Sequence, residues 1–75
     1  MKEAHNLGKE IAEKAIMLDK DLSYCEFQES FVQSPEYADV LNELREIAGE
    51  DEFVYHELID AFWESVAESF DETHR

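Results

Sequence analysis

Basic residues are scarce in this sequence: 6 Lys and Arg stand against 20 Asp and Glu, a formal net charge of −14 on 75 residues. No patch able to displace counterions from a nucleic acid can be assembled from so few, which excludes direct DNA or RNA binding. The same deficit makes an anionic membrane surface repulsive. Long apolar runs are also missing, so no membrane span is expected, and Met1-Lys2-Glu3 does not read as the start of a signal peptide. A single cysteine, Cys25, leaves no internal disulfide and suits a reducing cytoplasm. Two glycines and one proline, beside nine aromatics and 44% hydrophobic residues, argue against disorder in spite of the charge.

What is present has helical periodicity throughout. The reading is an all-α domain over residues 1–75, a small bundle of three to four helices at about 2–20, 24–33, 35–48 and 51–71. In the first, Ala4, Leu7, Ile11, Ala15 and Leu18 share a stripe that Gly8, Ala12 and Ile16 widen. Ser23 is placed as an N-cap of the second, whose apolar face is Tyr24, Phe27 and Phe31. Ser34 reads as the N-cap of the third, with Pro35 in its first turn, and Gly49 ends it. Glu50-Asp51-Glu52 puts acids at the positive end of the fourth. Strand signals are weak, with neither clean alternation nor a hairpin turn. A domain this small buries only about 60% of the surface its unfolded chain exposes, so support from a partner or a second copy is plausible. Gly8 and Ala12, at i,i+4, invite close helix packing, and with Ile16 they are the candidate dimer face.

The charge has a location. Residues 1–20 hold four Lys and four acids and sum to zero, whereas residues 21–75 hold 16 acids with only Arg45 and Arg75 opposing them. All nine aromatics lie in that second part as well. In the third helix Glu36, Asp39, Glu43, Glu46 and Glu50 fall opposite Tyr37, Leu41, Leu44 and Ala48, within an arc of roughly 80°. In the fourth, Glu57, Asp60, Glu64, Glu68 and Asp71 fall opposite Tyr55, Ile59, Phe62, Val66 and Phe70. An ordinary solvated helix face alternates Glu with Lys, because like charges at i,i+4 cost a few tenths of a kcal/mol. The first helix follows that habit through Glu10–Lys14 and Lys9–Glu13, and the last two do not. General acidity, as in a highly soluble or halophile-like protein, is the plain explanation. Selection for a cationic partner is the sharper one.

Five carboxylates over the 14-residue step from Glu36 to Glu50 place one charge per about 4–5 Å of helix. Duplex DNA has one per about 1.7 Å, so two adjacent helices approach the density of a phosphate backbone. The leading expectation is thus a non-enzymatic inhibitor that mimics nucleic-acid charge and blocks a basic DNA- or RNA-binding protein. An anti-restriction or anti-CRISPR role for a phage or mobile element, acting in a host cytoplasm, is of this class. Phe53, on the polar side of the fourth helix, and Trp63, at its border, are candidate interface anchors. The alternative is a helical adaptor or homodimeric regulatory subunit docking a basic protein.

Chemical motifs are incomplete. His56-Glu57-Leu58-Ile59-Asp60 has Asp where a zinc-protease helix needs its second His, and only His5 and His74 remain elsewhere. Asp19-Lys20-Asp21 opens like a calcium loop, but Tyr24 and Ser30 stand where Gly and a bidentate Glu are required. Acyl carrier proteins are small, acidic and helical, yet their Asp-Ser-Leu attachment site has no counterpart in Asp21-Leu22-Ser23. Cys25 has no basic neighbour to activate it and reads as a small core residue. Exposed carboxylates lack the selective pKa elevation that acid–base catalysis needs. No catalytic residue, metal site or cofactor is expected.

Overall fold

The computed structural model describes residues 2–73, so Met1, His74 and Arg75 lie outside the described residues. Four helices follow one another: α1 (Lys2–Leu18), α2 (Tyr24–Phe31), α3 (Pro35–Ala48) and α4 (Glu52–Thr73). Among the described residues there is no strand. The all-α reading holds, and the boundaries differ from the periodicity by two residues or fewer.

The ends are set by local chemistry. Ser23 caps α2: its Oγ accepts the Glu26 N–H at 3.2 Å and donates to Glu26 Oε1 at 3.0 Å. Asp51 caps α4 by accepting the Val54 N–H at 3.2 Å. Gly49 ends α3 at φ 66°, a conformation that costs glycine nothing. Ser34 behaves differently from expectation. Its backbone has the extended N-cap geometry, but its hydroxyl donates back to the Phe31 carbonyl at 2.7 Å rather than capping α3. That bond stabilises the turn in which α2 finishes, so the helix stops at Phe31 instead of running on to residue 33.

α4 is the element against which the other three pack. Its buried ridge is Leu58, Phe62, Val66 and Phe70, met by Val40 and Leu44 of α3 and by Phe27 and Phe31 of α2. Rings dominate the α2 contact. Phe27 and Phe31 stack with centroids 5.0 Å apart, and Phe31 lies 6.1 Å from Phe62. Such pairs add about 0.5–1.5 kcal/mol each beyond the area they bury.

α1 packs on α4 by another rule. Its buried residues are Ala4, Gly8 and Ala12, a ridge of small side chains four residues apart. A Cβ placed on Gly8 would stand 2.5 Å from the Phe62 carbonyl oxygen and 3.1 Å from Ser65 Cβ. One turn away, the buried Ser65 hydroxyl donates to the His5 carbonyl at 2.6 Å. His5 meeting Ser65 while Gly8 meets Phe62 fixes α1 antiparallel to α4. Gly8 and Ala12 are therefore used inside the chain, with Ile16 half-buried behind them, which corrects their reading as a face for a second copy. It also rotates the buried stripe away from the large side chains: Leu7 and Ile11 are half-buried, and Leu18 is 87% exposed instead of in the core. In α4 a similar rotation buries Leu58 and leaves Tyr55 and Ile59 half-buried, and in α3 Val40 takes the buried place that Tyr37 and Leu41 only partly reach.

Gly8→Ala tests the close approach. The added methyl must push against backbone, so we expect a loss of about 1–3 kcal/mol despite the better helix propensity of alanine. Thermal unfolding by circular dichroism reads it, and an unchanged or raised midpoint would refute the contact.

Candidate functional site

The acidic rows are built by helices whose opposite faces are fixed in the core. Burial of Val40 and Leu44 leaves Asp39, Glu43, Glu46 and Glu50 on the outer side of α3, while Glu36, one turn before Val40, flanks the buried side and lines the cleft between α1 and α2; all five are exposed. Burial of Leu58, Phe62, Val66 and Phe70 does the same for Glu57, Asp60, Glu64, Glu68 and Asp71, also exposed. Glu68 has a neighbour across the α1–α4 contact, His5 Nε2 at 3.5 Å.

Arg45, the one Lys or Arg between residues 21 and 73, does not neutralise either row. Its guanidinium lies over the Tyr55 ring, 3.7 Å from the centroid, and donates to Glu52 Oε1 at 2.8 Å. It thereby clasps the α3–α4 corner. The hydrogen bond from Arg45, and then its charge, hold the Glu52 carboxyl below the usual carboxylate range. Arg45 is itself raised, chiefly by the same bond. At Tyr24 partial burial, reinforced by the neighbouring Cys25, pushes the phenol up.

The two aromatic anchor candidates part company. Trp63 is half-buried among Phe62, Tyr37, Phe31, Tyr24 and Phe27, with centroid distances of 5.1–6.4 Å. Its ring closes the aromatic cluster of α2 and α4. Phe53, in the first turn of α4, is 72% exposed and does not fold back onto the preceding loop. Cys25 is exposed too, contrary to its reading as a core residue. α2 buries the i,i+4 pair Phe27 and Phe31, and a residue two places before Phe27 points about 200° away from it.

Other motifs resolve into local structure. Asp19 Oδ1 accepts the Asp21 N–H at 3.0 Å, so the calcium-like stretch is an Asx turn after α1. His56 is exposed beside Tyr55. Among the described residues no three His, Cys, Asp or Glu side chains converge as a metal site would need, and no helix is long and apolar enough to cross a membrane. Sequence periodicity did not reveal two clefts. One, of about 350 Å³, lies between α1 and α2 over Ile11, Ala15, Leu22, Phe27 and Phe31. The other, of about 400 Å³, runs along the outside of α1 by Leu7, Ile11 and Met17. Met17, 81% exposed, lines the outer cleft, and Leu18, 87% exposed, lines the one toward α2.

No protein-family model, curated protein or solved structure matches the chain.

Two measurements probe the electrostatics. Because Glu52 is lowered in the folded state, its contribution is complete above the ordinary glutamate value of about 4.3 and disappears as pH falls through the lowered one. Glu52→Gln is expected to be less stable than the parent in urea unfolding at pH 7, with the gap closing in strong acid. A gap independent of pH would show that the ion pair is not its source. Screening of the like-charged rows should raise the melting temperature as salt increases from about 0.01 M to about 0.15 M. A fall would mean that attractive pairs dominate.

Proposed function

We propose that this protein is an acidic inhibitor that occupies the nucleic-acid-binding cleft of a basic protein, presenting carboxylates where phosphates would lie. The observation that carries the reading is the exposure of both rows together with the commitment of Arg45 to Glu52 and Tyr55. Ten carboxylates hang from two packed helices, so their backbone positions are fixed on folding and only their side-chain rotamers are ordered on binding. Each like pair at i,i+4 costs the helix a little, a cost that a cationic partner reverses. The partner class is a DNA- or RNA-binding protein rich in Lys and Arg. A restriction or CRISPR-type enzyme of a host cytoplasm, with this chain as the counter-defence, belongs to it. The chain acts by occlusion, without catalysis.

Affinity capture from a cell lysate on the immobilised chain is the test. We expect nucleic-acid-binding proteins to be retained at about 0.05 M salt and released near 1 M, where the screening length falls to about 3 Å. Duplex DNA should displace them. Joint replacement Glu57→Gln, Asp60→Asn, Glu64→Gln and Glu68→Gln should weaken retention by about tenfold or more, since those charges steer and hold the complex. Capture that ignores salt, DNA and the fourfold variant but is lost in Phe53→Ala would overturn the mimic and establish the docking adaptor in its place.

A further inference from the structure

The acidic row on α4 begins with a ring. At about 100° per residue, Phe53 falls within roughly 40° of Glu57, Asp60 and Glu64, so the four side chains share one line about 16 Å long. All four are exposed, and Phe53, at 72%, is the one large apolar side chain that α4 leaves in solvent. Among the described residues, no ion pair engages Glu57, Asp60 or Glu64. The nearest charges are occupied or displaced along the helix. Asp51 accepts the Val54 N–H, and Glu52 holds Arg45 over the Tyr55 ring. His5 and Lys9 of α1 lie further on, beside Glu68 and Glu72. His56 is exposed at the edge of the strip, one turn on from Phe53.

We propose that this strip enters a groove built for single-stranded nucleic acid, with the three carboxylates where phosphates run and the Phe53 ring where a base stacks. The inference rests on the inhibitor reading and narrows its target class. Charge complementarity asks for a cationic track, and the ring asks for something more. A cleft shaped for duplex DNA meets phosphates and groove edges while the bases stay stacked on one another. Against the charged and hydrogen-bonding side chains of such a cleft, a phenyl ring removes water and returns no hydrogen bond. A groove for a single strand combines Lys and Arg along the backbone with aromatic side chains on which bases stack. Phe53 offers a π-face of that kind and has no polar atom to satisfy. Because it stands in line with the row, ring and carboxylates can engage one groove together. Trp63 cannot take that part, since it is half-buried in the aromatic cluster of α2 and α4.

Competitive release from the immobilised full chain tests it. Lysate proteins retained at about 0.05 M salt are eluted either with oligothymidylate of about 16 nucleotides or with a duplex carrying the same number of phosphates. The single strand is expected to release them at a concentration at least about tenfold lower than the duplex. Phe53→Ala should weaken retention about tenfold. Phe53→Leu, which keeps an apolar side chain but not the ring face, should weaken it as much, and Phe53→Trp should hold as tightly as the parent. The ring is in solvent, so all three variants should keep the parent's circular dichroism. A duplex that releases the target as readily as the single strand overturns the proposal, and so does Phe53→Ala or Phe53→Leu binding like the parent. Either result leaves the inhibitor reading standing as long as salt still releases the target. Retention indifferent to salt and to both nucleic acids removes the reading and this inference together.

Discussion

The contact between Gly8 and the Phe62 carbonyl governs the rest of the molecule. Only a residue without Cβ allows two helix backbones so close, and once they are that close the Ser65 hydroxyl reaches the His5 carbonyl. The hydrogen bond sets the register of α1 along α4, and the glycine sets its rotation. Rotation decides which side chains α1 buries. A helix that turned Leu7 and Ile11 onto α4 would sit further away and break the bond to His5, so the small ridge and the exposed large residues are two results of one choice.

α4 is loaded from several sides. Phe62 touches α1 through its backbone and α2 through its ring, while Leu58, Val66 and Phe70 complete the buried ridge. With its apolar ridge so occupied, α4 shows the solvent the row from Glu57 to Asp71, with Phe53 and His56 exposed in its first turns. α3 has less to bury, only Val40 and Leu44 fully, and is held at its far end by the Arg45 clasp. Arg45, the arginine at that corner, is taken by Glu52, which belongs to neither row.

Helix number, order and caps were legible because they rest on local chemistry: Ser23 before a hydrophobic run, Pro35 in a first turn, Gly49 after a last one. The acidic rows were legible for the same reason, since an outward face is what remains when an inward face is assigned. The rotation of α1 was not. Periodicity weights large apolar residues, and in α1 the deciding residues were alanine and glycine, which score little in a helical stripe. The i,i+4 spacing of Gly8 and Ala12 did signal close packing, but the sequence could not say that the partner was α4 rather than another chain. Cys25 was misplaced because a mean preference for burial yields to the phase that Phe27 and Phe31 impose on so short a helix.

Chain order gives α4 a kinetic meaning. The bond from Ser65 to His5 spans 60 residues, almost the length of the chain, and the helix that organises the core is the last of the four to be synthesised. On a ribosome α1, α2 and α3 emerge before the ridge of Leu58, Phe62, Val66 and Phe70 on which their apolar faces pack. Closing so long a loop costs entropy that no earlier contact repays. Completion of the core therefore waits for the last of the four helices.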